Sequence, residues 1–287
     1  MKRPEFQPKL AFTAEALTFM PTSATFIFFK DSFKFNTIVL VGALLQLAVC
    51  LVLPARWAVV PAISLLLNSV ITTIFQSRNR LSNEYQTHVV PGRATAQVPF
   101  VPTATGGCFG SQPADASIVV FNIGSQFNHP LGLLAPGVKD MGERFDAMLR
   151  DLTDRREELG LLGVSAWIGD ERRSNNTNGL TCHFRNLDGL HRFAHEPLHR
   201  ETWDWFNAKK YPHIGVFHET YCVPAKSYET VYLNCRPILM GRVAAKVTNE
   251  GEEPQWANGL VSADTPALKT QYSRMSRDEK GNIKEEV

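Results

Sequence analysis

Two stretches near the N-terminus restrict this chain more than anything else in it. Phe35–Ala55 runs 21 residues without a charge, and Trp57–Ser77 is a second uncharged run of 21, with only Arg56 between them. A helix needs about 20 apolar residues to cross a hydrocarbon core about 30 Å thick, so either run is long enough. The link Pro54-Ala55-Arg56 leaves room only for an antiparallel hairpin, which puts both outer ends on one side. Lys30 and Lys34 flank the first run, Arg78 and Arg80 the second, and Arg56 alone marks the turn. Cationic residues collect on the cytoplasmic side. The sequence therefore predicts a hairpin over 35–80, with spans near 37–53 and 57–77. The N-terminus and everything downstream lie in the cytosol, and the endoplasmic reticulum is the expected membrane. Phe26-Ile27-Phe28-Phe29 beside Lys30 and Lys34 reads as an interfacial segment within 1–34. Gln46, Asn68, Gln76 and Pro61 weaken the runs, so a buried soluble hairpin and a re-entrant hairpin stand as alternatives. A signal peptide does not, because its apolar run would begin much nearer the start.

Composition removes other classes. Lys plus Arg number 30 against 28 Asp plus Glu, a net charge of +2. That balance lacks the basic stripe of a nucleic-acid binder. The five cysteines stand at 50, 108, 182, 222 and 235 with no CxxC pair, which fits neither a disulfide framework nor a zinc ribbon. A reducing compartment follows for the folded part.

Residues 81–115, rich in Pro and Gly, read as a linker. From 116 the pattern sharpens into a domain over 116–242. Ile118–Ile123 is a strand. Gly137–Leu159 is a helix whose Val138, Met141, Phe145, Met148 and Leu152 form a core-facing stripe. Leu162–Ile168 alternates as a strand, Ser174–Gly179 is a turn signal, and Leu180–Arg185 is a third strand. Leu187–His195 is a short helix, Pro197 opens another to about Lys209, and His213–Val223 is the fourth strand. The order β-α-β-β-α-β predicts an α+β, ferredoxin-like domain. Helices would cover one face of its sheet, and the other would need a partner, commonly a second copy. Residues 224–240 read as an arm, and 243–287 as a polar, disordered tail.

Six of the eight histidines lie between 183 and 218. His191, His195 and His199 are spaced by four, and Trp203 extends the series. Pro197 interrupts it, so His199 and Trp203 are the pair expected on one helix face. They read either as solvated polar positions or as an acid/base group beside an aromatic wall. The HxxxH spacing lacks the glutamate of HExxH, so no metal site is assigned. On the fourth strand His218 and Glu219 are consecutive and must face opposite sides. One should point into the helix-covered interior, and a salt bridge of Glu219 with Arg185 or Arg200 is the structural alternative. Asn122 and Arg185 interrupt apolar strands and are candidate substrate contacts. Asn175-Asn176-Thr177 fits a glycosylation sequon that a cytosolic placement would leave unused.

The segments FRNLDGLHRFAHEPLHRETWDWF (Phe184–Phe206) and HIGVFHETYCVPAKSYETVYLN (His213–Asn234) resemble a fungal monooxygenase-like family. That family is similar to the fumagillin-pathway monooxygenase and belongs to the dimeric α/β-barrel superfamily of antibiotic-biosynthesis monooxygenases. The matching positions are His199, Trp203, His218, Glu219, Tyr221, Glu229 and Asn234. The resemblance implies a homodimer and the oxidation of a lipophilic terpenoid or polyketide by dioxygen in secondary metabolism. The superfamily holds cofactor-free oxygenases, the expected case, and haem enzymes, the alternative. His218 or His199 would then be the catalytic base, with Glu219 orienting it. Trp203 and Tyr221 would wall the pocket, and a partner oxidase of the same pathway is a further expected contact. A non-oxidative dehydratase, isomerase or cyclase, or a tethered binding protein without chemistry, would use the same fold.

Overall fold

The computed structural model describes residues 6–15, 33, 35–79, 83–100, 108–169, 177–248 and 253–284. The chain divides into two units, Ser32–Val89 and a second made of Met1–Asp31 with Val90–Val287. The interfacial motif at 26–30 and the sequon residue Asn175 lie outside the described residues.

The first unit holds α1 (Phe35–Val52), the single turn α2 (Ala55–Ala58) and α3 (Val60–Arg78). Both long segments have the length and composition to cross a membrane, with almost none of their residues buried. Their awkward polar positions are accommodated locally. The Gln46 amide donates to the Ala58 carbonyl at 3.1 Å, tying the first helix to the turn. Pro61 stands in the first turn of α3, where its missing N–H costs no helical bond.

In the second unit β1 is Val90–Ala96, β2 Ile118–Phe127, α4 Val138–Asp154, β3 Leu161–Gly169 and β4 Thr177–Phe184. After them come α5 (Leu187–His195), α6 (Pro197–Lys209) and β5 (Ile214–Val223). A four-stranded antiparallel sheet runs β3-β4-β2-β5, so β5 is an edge. Helix starts follow local chemistry. Gly137 precedes α4 at φ +81°, with the Tyr211 ring where a β-carbon would stand. The Asn186 side chain caps α5 by accepting from the Gly189 N–H at 3.2 Å. Leu149 and Leu152 of α4, with Leu190 and Phe193 of α5, pack on Val119, Leu180, Cys182 and Phe184 of the sheet.

Four expectations are corrected. Part of the supposed linker is β1, held between β6 (Tyr232–Cys235) and β9 (Leu260–Ser262). Its pairing is wholly non-local, and Gly92 sits at φ +75° within a register irregularity, so its local pattern does not read as a strand.

The tail is ordered where described. It forms β7 (Ala244–Val247), β8 (Gln255–Asn258), β9 and α7 (Gln271–Arg274), and Val247, Ala257, Val261 and Leu268 are buried. Arg274 anchors it, with Nε on Glu229 Oε2 at 2.7 Å and Nη1 on the Leu268 and Lys269 carbonyls at 3.2 Å. The charged composition that suggested disorder hides a few buried residues, and the ion pair closes over a partner 45 residues away.

Last, the sheet face away from the helices is not left wholly to a partner. Ile118, Val120 and Leu162 pack there against Ala94, Ala96, Val243 and Leu260 of the same chain. The turn signal at Ser174–Gly179 also ends early, because Thr177, Asn178 and Gly179 belong to β4.

Candidate active site

Cross-strand pairing decides which side chains can meet. Ile123 is opposite His218, Phe121 opposite Thr220, and Asn122 opposite Glu219. Directly opposed residues share a face, and neighbours along a strand alternate. Phe121, Ile123, Val216, His218 and Thr220 therefore face the helices, and Asn122, Phe217, Glu219 and Tyr221 face away.

Between the helix-side face and the helices lies a cavity of about 1060 Å³. Its floor is Phe121, Ile123, Val216 and His218. Met141, Phe145 and Met148 of α4 form one wall, and His199, Trp203 and Phe206 of α6 another, with His191 and His195 of α5 between them. The chamber is mostly apolar, as small-molecule sites are. One side runs along β5, where His218 is exposed.

The structure brings His199, His218 and Trp203 together. The His218 ring lies 5.8 Å from that of Phe121, the His199 ring 6.0 Å from that of Phe193, and Trp203 stacks on Phe206 at 5.9 Å. Burial lowers the His199 imidazole below its ordinary value. A hydrogen bond to the Ala194 carbonyl opposes the shift, and the nearby His218 and His195 add to it. The shift favours the neutral imidazole, the form that accepts a proton. His191 and His195 reach the same chamber although Pro197 does break the helix, and His195 Nδ1 sits 2.7 Å from the His191 carbonyl.

Four expected residues do not line this cavity. Glu219 and Tyr221 lie on the opposite face, where the Tyr221 hydroxyl donates to Glu219 Oε2 at 2.9 Å. No ion pair of Glu219 with Arg185 or Arg200 is found among the described residues. Asn122 is on that face too, its Oδ1 accepting from Thr181 Oγ1 at 2.8 Å while the Trp167 indole donates to the same hydroxyl at 3.2 Å. Arg185, past the end of β4, donates to the Pro99 carbonyl at 2.9 Å and lies 5.8 Å from the Phe100 ring centre. Strand alternation excludes the first three, and Arg185 is engaged in joining β4 to the segment after β1.

The sequence reading missed other lining residues. The sequence reads Met141, Phe145 and Met148 as core, and their spacing cannot tell a packed face from a cavity wall. Asn178 falls within the turn signal at Ser174–Gly179. Among the described residues no group of three or more His, Cys, Asp or Glu is arranged to hold a metal ion.

Residues 118–240 match the family described as monooxygenase af470-like. The chain is 43% identical over 278 residues to Monooxygenase af470 of Aspergillus fumigatus, covering 96% of each. Among solved structures, an aldoxime dehydratase (OxdRE) in complex with butyraldoxime is similar at TM-score 0.38 and 17% identity, over 52% of this chain and 39% of that one. SnoaB, a cofactor-independent oxygenase from Streptomyces nogalater, is similar at TM-score 0.24 and 11% identity, over 37% of this chain and 91% of its own. Those two likenesses are too slight to bear on chemistry. The sequence identity is of another order and extends through the hairpin and the C-terminal strands: the chain belongs to the monooxygenase af470-like family.

Proposed function

We propose that this chain is a membrane-anchored, oxygenase-type enzyme. It uses dioxygen and no bound cofactor to oxidise a lipophilic terpenoid or polyketide intermediate of secondary metabolism. The observation that carries this reading is the meeting of His199, His218 and Trp203 in one large apolar chamber. An imidazole there takes the acidic proton of an activated C–H, and the apolar walls, with the side along β5 closed by a second copy, keep water from returning it. The carbanion passes one electron to dioxygen, and the two radicals join as a peroxide. Loss of water then leaves a carbonyl. A CH2 group and O2 become C=O and H2O, with the substrate as its own reductant. Positioned proton transfer of this kind contributes about 10²–10⁴-fold.

The hairpin holds the chain in the membrane of the endoplasmic reticulum, with the domain on the cytosolic side. The open edge strand β5 suits closure by a second copy, as in a dimeric α/β barrel.

The test begins with deletion of the gene and isolation of the metabolite that accumulates. Incubating it with purified protein under isotopically labelled dioxygen should place one labelled oxygen in the product and the other in water. Conversion that proceeds without dioxygen would defeat the oxygenase reading, and no conversion at all would favour a binding protein without chemistry.

A second reading has support in the same side chains. His195, His199 and His218 are residue types that take haem iron, and an apolar hollow suits a porphyrin. Haem would supply a metal centre for non-oxidative chemistry such as dehydration. A Soret band in the purified protein would favour it.

A further inference from the structure

Asn178 carries a buried carboxamide oxygen that no described residue satisfies. It pairs with Ser125 of β2 and Ile168 of β3, which turns its carboxamide toward the helices and onto the cavity. It is 5% exposed, and its Oδ1 has no hydrogen-bond partner among the described residues. An unpartnered buried amide oxygen is costly, and an apolar residue of the same shape would avoid that cost. Ser125, beside it on β2, brings a hydroxyl to the same end of the chamber.

The sheet also sets the distance from this polar end to the proposed base. His218 lies two strands from Asn178 and two residues further along. At about 4.8 Å between strands and about 3.4 Å per residue, the two Cα atoms are about 12 Å apart. On β2 the helix-side residues at these two levels are Ser125, opposite Asn178, and Ile123, opposite His218.

We propose that Asn178 is a positioning residue that anchors a hydroxyl of the substrate, so that the ligand class is a lipophilic alcohol. Its polar group and its reacting carbon are separated by an apolar stretch of about 12 Å. The assignment rests on reading the cavity as the substrate chamber. A hydroxyl suits the site because it both donates and accepts, and so satisfies either end of the amide. Apolar contact alone would let the ligand slide along the floor; the anchor fixes which carbon stands at His218.

The test uses the full chain in lipid nanodiscs, titrated calorimetrically with undecan-1-ol and with undecane, with partition into empty nanodiscs subtracted. The alcohol should bind about fivefold more tightly than the alkane, the worth of one net hydrogen bond. In Asn178→Leu that preference should vanish, and the ligand-free variant should melt at a higher temperature than the parent. A merely structural asparagine would give the opposite melting shift. Asn178→Ala, which only truncates the side chain, provides the same preference measurement should the leucine variant fail to fold. An alcohol preference that survives in the variant, or that is missing from the parent, overturns the proposal. If the parent binds neither ligand, the cavity reading falls first and takes the anchor with it.

Discussion

His218 and Glu219 are consecutive in β5 and face opposite sides of the sheet. The imidazole lies over the chamber 5.8 Å from the Phe121 ring, and the carboxylate accepts a hydrogen bond from Tyr221 at 2.9 Å on the far face. They are therefore not a dyad. A base at this site must be oriented by its packing and by the other imidazoles.

Replacing His218 or His199 by Ala should lower kcat by about 10²–10⁴-fold, while Glu219→Ala keeps it within a few-fold. Turnover of the accumulated metabolite measures all three. A glutamate variant as impaired as the histidine variants would contradict the separation of faces.

The pH dependence of kcat/KM has a defined sign. Burial lowers the His199 imidazole, so protons disable it only at pH values below the ordinary histidine range. If His199 is the base, the acid limb of the profile falls below pH 6.5. A limb at or above that value would assign the role elsewhere.

Stability should change with pH through a different histidine. His183 faces away from the chamber, is 3% exposed and has an Nδ1 unpartnered among the described residues. Burial pushes its imidazole from 6.5 down to about 4. The unfolded chain binds the proton first, so this contribution is fully present above pH 6.5 and drains away as pH falls toward 4. A shift of this size corresponds to about 3 kcal/mol. Melting temperatures across that window should fall for the parent and flatten for His183→Leu.

Gly142 lies on α4 at the edge of the chamber, with nothing within 4 Å of the place a β-carbon would take. Gly142→Leu should stabilise the helix by about 0.5–1 kcal/mol and narrow the chamber, so that the melting temperature rises and KM rises with it. A lower KM would mean that substrate does not pass this wall.

The Arg274–Glu229 pair, 8% and 23% exposed at its side chains, fastens the C-terminal segment. Arg274→Ala leaves the carboxylate with no counter-charge and should destabilise the protein by about 3 kcal/mol. Glu229→Ala should cost less, because the guanidinium keeps the Leu268 and Lys269 carbonyls. Denaturant titrations of both variants and of their double variant measure the coupling.

Local pattern carried much of this protein. Uncharged length determined α1 and α3, and period and punctuation determined α4, α5, α6 and the four strands of the main sheet to within a few residues. Alternation along β5 had already separated His218 from Glu219. Tertiary structure decided the rest, because the deciding contacts join distant parts of the chain. β1 becomes a strand only by pairing with residues more than 130 positions away, and the charged tail is ordered by strand pairing, a few buried apolar residues and one part-buried ion pair. Which face of β5 looks into a chamber, and that Asn178 leaves a turn signal to point into it, follow from register across three strands. A chain's own sequence spells out its turns and periods; the register between strands is settled only when they pack.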